Sequence, residues 1–369
     1  MSATASLGAP VSLRASLGRC FVGPAFDYLL IGGALSLPVV ALLAAGSGAP
    51  GVGALVGRLE VLTRPEVLPW VVLLLSGTHF AASSVRLYTK PGATRALPFL
   101  TMAFPLVALA ILTLSVLRPV EIGRHLSALY ITWSPYHYAA QAYGLAVMYC
   151  YRSGCALSPA DKRMLRVASL LPFFYAFVAS GGAGLDWLLP EALAARPEVA
   201  GLVRGLRPLL VAAGLAAPVL VWAALHRGRG APMPFISALA LFANGIWWFA
   251  LPPLQAFVWA TFFHAIQYLA IVLIFHVRER MARPGNRRHP LYHVLWFYGT
   301  CLAVAYGLFN CLPRAYVLAG FSLTDSLLLV VAAINLHHFI VDAYIWRLGR
   351  SDGNRAIVEG APAAPPAWG

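Results

Sequence analysis

The sequence predicts an all-α protein, a polytopic integral membrane bundle of about ten transmembrane helices with both termini cytoplasmic. Three observations predict it. Of the 369 residues, 60% are hydrophobic and 11% are charged, with a mean hydropathy of +0.74. Soluble domains carry roughly 25% charged residues. Ten stretches approach the about 20 apolar residues that a spanning helix needs. Finally, 19 of the 27 Lys and Arg residues fall in the N-terminus, the even-to-odd loops and the C-terminus, the bias of cytoplasmic segments.

The first expected span, 26–46, follows Arg14 and Arg19 and is too long for a cleaved signal; Asp27 is placed to cap it. Span two, 68–88, holds "LLLSGTHFAASSVRLY", and span three, 96–117, is apolar throughout. Span four, 125–151, carries "SPYHYAAQAYG", and span five, 165–189, is interrupted by "SGGAGLD". Span six covers 207–226. Spans seven, 234–252, and eight, 255–277, are joined by "LPPLQ" in a tight outer hairpin, with Trp247 and Trp248 as interface anchors. Spans nine and ten cover 291–313 and 321–346. Residues 1–350 thus form a single transmembrane domain. Residues 351–369, rich in Pro, Ala and Gly, read as a flexible tail.

The net charge of +14 is strung through connecting loops rather than gathered on a domain that could hold nucleic acid. Five cysteines form no CxxC pair and read as small apolar residues. The positive-inside pattern points to a multi-pass protein of the cell inner or plasma membrane, surrounded by lipid. No oligomeric state follows from the sequence.

Most remaining intramembrane ionisable groups are histidines. His79, His137, His264 and His338 lie on spans two, four, eight and ten, which all run in the same direction under this topology. At 1.5 Å per residue they fall within a slab about 9 Å thick. Each has a polar companion within a helical turn: Ser76 and Thr78 for His79, Gln141 for His137, Gln267 for His264, and Asp342 and Asn335 for His338. Residues three or four apart share a helix face, so these are the positions from which a second group would orient a metal-bound imidazole. Asp342 is the strongest such candidate, because a carboxylate at that depth needs a partner. His337 faces about 100° away from His338, so simple helical geometry does not let both bind one ion. Either could be the ligand; His338 is preferred because Asp342 lies on its face, and His337 is then expected among the groups around the ligands. His276, at the end of span eight, reads as an interfacial residue. Tyr136, Tyr143, Tyr268 and Tyr344 are candidates to line a cavity for a flat apolar ligand.

A lone intramembrane histidine commonly serves as an interhelical hydrogen bonder, worth about 0.6 kcal/mol on average. Four at one depth, each with a polar neighbour, point instead to a shared metal or cofactor. Imidazole suits iron, copper or zinc. An all-histidine set without cysteine fits non-haem iron that activates O2; bis-histidine haem is an alternative. A transporter or channel moving protons or metal ions through the same His/Gln/Asp cluster is another.

The four separated histidines on a multi-span chain resemble Brp/Blh-type carotenoid dioxygenases. "FDYLLIGG", "HYAAQAYG", "FHAIQYL" and "NLHHFIVDAYIW" are similar to segments of His-rich polytopic bacterial membrane proteins of unassigned activity. The resemblance is confined to these short blocks. It implies O2-dependent oxidation of a lipid-soluble isoprenoid or acyl substrate, with His79, His137, His264 and His338 as iron ligands.

Overall fold

The computed structural model describes residues 13–46, 53–90, 92–226, 231–346 and 352–360. Among the described residues every regular element is helical. The principal helices are α1 (Pro24–Ile31), α2 (Ser36–Ala45), α3 (Leu68–Thr89) and α4 (Phe99–Leu117). Then come α5 (Arg124–Arg152), α6 (Pro159–Ala179), α7 (Pro197–His226) and α8 (Phe235–Ala250). The chain continues with α9 (Pro253–Met281), α10 (Pro290–Leu318), α11 (Leu323–Ile345) and α12 (Asp352–Glu359).

Each expected span has a helical counterpart within α1–α11. Six described helices are long and apolar enough to cross a membrane, or seven when the bent α1–α2 pair counts as one. Helix α8 is too short for that measure at 16 residues, whereas α5 has the length, 29 residues, but interrupts its apolar surface with polar side chains.

Two of the expected spans are not continuous. The α1–α2 pair is bent by 46° at Gly33, whose φ is +81°. A Cβ there would lie 2.8 Å from both the Ala243 Cβ and the Gln267 Nε2, so the turn demands glycine for its backbone and for its space. Span five ends early. Helix α6 begins at a capping box, in which Ser158 and Asp161 exchange side-chain and backbone hydrogen bonds. It stops at Ala179, where Gly182 and Gly184, at φ +72° and +58°, turn the chain. Helices α8 and α9 form the expected tight hairpin, but Trp247 and Trp248 are buried. Trp247 stacks on Phe263 with ring centroids 5.8 Å apart, so these indoles pack the bundle instead of anchoring its rim.

Helix α9 is the central post. It packs against α1, α3, α8 and α10, and 72% of its apolar window is buried, against 17% for α7 and for α10. Helix α11 in turn packs on α3, α4 and α5. Helices α3, α11, α5 and α9 therefore enclose a common interior.

Part of the segment expected to be a loose tail is ordered: α12 lies on the bundle, with Asn354, Ile357 and Val358 buried. Arg152 donates to the carbonyls of Ile357 and Val358, and Arg278 to that of Ile357. Cationic groups at the carbonyl end of a helix complement its dipole. Residues 361–369 lie outside the described residues.

Candidate metal centre

The four candidate histidines meet. One nitrogen from each of His79 on α3, His137 on α5, His264 on α9 and His338 on α11 lies within 4.8 Å of all the others. All four side chains are buried. Their rings form a closed circuit. Centroids are 4.7 Å apart for His79–His264, 5.0 Å for His264–His137, 5.0 Å for His137–His338 and 4.4 Å for His338–His79. Each neighbouring pair is close to perpendicular, at 70–81°, so the imidazoles are arranged as a pinwheel.

The hydrogen bonds separate a ligand set from interhelical glue. Both ring nitrogens of His79 and the Nε2 atoms of His137, His264 and His338 are buried without a hydrogen-bond partner. A buried polar atom left unpaired costs about 1–3 kcal/mol, and five at one point is a concentration that packing alone does not justify. Nitrogens on opposite sides of an ion bound at 2.0–2.1 Å would stand about 4.2 Å apart. The observed spread is only slightly wider, so these donors suit a single borderline cation.

The surroundings brace the rings. Phe339 stacks on His137 at 4.3 Å and 24°, and Tyr138 lies against His264 at 4.3 Å, its hydroxyl bonded to Thr261 Oγ1 at 2.8 Å. His338 Nδ1 is paired with Ser83 Oγ at 2.9 Å. Ser83 is four residues after His79, so α3 supplies one candidate ligand and orients another.

The companions expected from spacing are partly reassigned. Gln141 does not touch an imidazole nitrogen; its amide donates to the His264 carbonyl at 3.3 Å and to Gln267 Oε1 at 3.4 Å. Gln267 donates to the Ile31 carbonyl at the α1–α2 bend. This pair ties α1, α5 and α9 together and acts on the backbone carrying the histidines. Asn335 turns back to the Val331 carbonyl of its own helix, and Thr78 does the same to Leu74 and Leu75. Ser76 is buried without a partner. His337 stacks on Phe104 with centroids 4.8 Å apart and planes at 9°, outside the cluster as its helical angle requires.

Asp342 reaches the centre, but in a different role from the expected one. Its Oδ1 accepts a hydrogen bond from Tyr268 at 2.7 Å. Its Oδ2 stands 3.4 Å from His338 Nε2 and 3.9 Å from His137 Nε2, both of them nitrogens without a hydrogen bond. The other nitrogen of His338, Nδ1, is already held by Ser83.

Of the four candidate lining tyrosines only Tyr268 belongs to the site. Its ring lies 4.6 Å from that of His79, and Trp346 Nε1 donates to its hydroxyl at 3.3 Å. Tyr136 and Tyr344 are exposed on the bundle surface, and Tyr143 lies beneath the Arg166 guanidinium. A helix turns only 100° per residue, so tyrosines near a histidine in sequence readily face the other way. His276 stays outside, packed between Trp296 and Phe297.

Comparison of the chain with protein-family models, with curated proteins and with solved structures finds no match.

Proposed function

We propose that this protein is an intramembrane metalloenzyme, a non-haem iron oxygenase acting on a lipid-soluble isoprenoid or acyl substrate in the cell inner or plasma membrane. The observation that carries this reading is the convergence of four buried histidines with five unpartnered ring nitrogens among them. Imidazole donors without thiolate suit iron among the borderline cations. The lipid setting of the surrounding helices and the resemblance to Brp/Blh-type dioxygenases support an apolar substrate. Bound iron would supply the activation of O2.

The chain's own residues hold and shield it. His79, His137, His264 and His338 would be the donors. Ser83 Oγ donates to the Phe80 carbonyl and so accepts from the Nδ1–H of His338, which leaves Nε2 free to bind. Phe339, Phe80 and Tyr138 wall the rings and keep water away. Haem fits less well, because rings in contact on four sides, with centroids 4.4–5.0 Å apart, leave no slot for a macrocycle.

Elemental analysis and an optical spectrum of detergent-purified protein test the reading. About one iron per chain without a Soret band is expected. A Soret band, stoichiometric zinc or absence of any bound metal would overturn it. Metal uptake into reconstituted vesicles without retained iron would instead favour a transporter.

A further inference from the structure

We propose that Asp342 is a direct fifth ligand of the same ion, so that the centre is four imidazoles and one carboxylate. The inference rests on the metal reading above and deepens it. Its basis is the spacing of Oδ2, 3.4 Å from His338 Nε2 and 3.9 Å from His137 Nε2. Two atoms bound to one ion at about 2.1 Å, with angles of 90–110° between them, lie roughly 3.0–3.4 Å apart. Oδ2 therefore stands at or just beyond ligand spacing from two nitrogens that have no hydrogen bond.

The other carboxylate oxygen shows how Asp342 is held there. Tyr268 donates its O–H to Oδ1 at 2.7 Å, and Trp346 donates its N–H to the same tyrosine oxygen at 3.3 Å. Indole is a donor only, so the phenol accepts from Trp346 and has its proton left for Asp342. The arrangement pins Oδ1 and presents Oδ2 to the pinwheel. Outer groups of this kind orient metal ligands; here the oriented ligand is the carboxylate.

Charge argues the same way. Four neutral imidazoles leave both charges of a divalent ion uncompensated in a medium where buried charge is costly. One carboxylate halves the net charge without another histidine. Five donors of this type exceed the four of a tetrahedral zinc site and leave an ion that prefers six one position for an exogenous molecule. Asp342 thereby becomes a determinant of which metal is selected.

The test uses Co2+ as a probe, added to full-length, metal-stripped protein in detergent, with bound metal and visible absorption both measured. Four-coordinate Co2+ absorbs several-fold more strongly than five- or six-coordinate Co2+. Wild-type protein is expected to bind one Co2+ with weak absorption. Asp342→Asn should bind it about 10-fold or more weakly and with stronger absorption. Identical spectra and affinities in the two proteins would overturn the proposal while leaving the four-histidine reading intact. Failure of wild type to bind Co2+, Fe2+ or Zn2+ would overturn both. Should Asp342→Asn not fold, Asp342→Glu, which retains a carboxylate but displaces it by one methylene, must still shift the Co2+ bands. An unchanged spectrum there equally refutes the fifth ligand.

Discussion

Asp27, Arg152 and Arg278 at the arginine-rich end of the bundle are held by several hydrogen bonds each, whereas the histidines in its middle leave five ring nitrogens without one. Asp27 is fully buried and accepts from the backbone N–H groups of Phe21, Val22 and Gly23 and from the Tyr149 hydroxyl. Arg152 donates to the Cys20 carbonyl through Nε and Nη2, and Arg278 to the Phe21 carbonyl at 2.6 Å. The two guanidinium groups lie over the Phe21 ring, at 4.2 and 5.5 Å. This knot joins the segment before α1 to α5, α9 and α12. In the pinwheel, five nitrogens have no hydrogen-bond partner among the described residues. Dense hydrogen bonding of this kind marks a polar cluster that stabilises the fold. Unpaired nitrogens gathered from four side chains that are good metal donors mark one that could hold a metal ion.

Mutations should therefore divide by which property they damage. The largest effect is expected from His137→Ala, His264→Ala or His338→Ala, each of which should abolish metal binding, about 100-fold or more in affinity. Thermal unfolding of the metal-free variants should show a smaller loss than Asp27→Ala, because the Nε2 atom removed from each has no hydrogen bond. His276→Ala should keep its metal. If these four variants behave alike in metal analysis, the assignment of the site is wrong.

Asp27→Ala should reverse the pattern. It leaves four donors without their acceptor and should lower stability by about 3–5 kcal/mol, as broken buried charged contacts do. Metal bound per folded chain should stay at the wild-type value; a selective loss of metal would erase the distinction between the two clusters.

Ser83→Ala should fall between them, weakening metal binding about 10-fold with the ion still bound, as a titration with Fe2+ or Co2+ would register. Tyr136→Phe should be the smallest. Its ring packs on Phe173 and is partly exposed, so metal affinity should not move and stability should stay within about 0.5 kcal/mol. A change in metal affinity would return Tyr136 to the site.

The helical bundle and the four histidines were legible because both follow from one-dimensional rules. Apolar length marks a span, and the rise per residue sets a depth. Ser83 was also within reach, since it stands four residues from His79, the same interval that singled out Gln141 and Asp342. Phe339 and Tyr138 were not, because each braces a histidine of another helix, and a single sequence does not report contacts between helices. Asp342 shows a finer limit. Spacing placed it on the face of His338, but the nitrogen it approaches depends on Ser83 occupying the other. The order in α12 was hidden by composition. The Pro and Ala residues of 361–369 masked the short apolar pair Ile357 and Val358, whose burial depends on arginines from α5 and α9.

The grip of Arg152 and Arg278 on α12 bears on how the molecule is made. These arginines hold residues near position 20 with one set of bonds and residues near position 357 with another. During synthesis the first set can form once α9 has emerged, yet the second must wait until α12 has followed α11. Until then a nascent bundle exposes a cluster of guanidinium groups at its rim, and a ribosome stalled after α11 would leave a membrane-inserted protein with that rim unclosed.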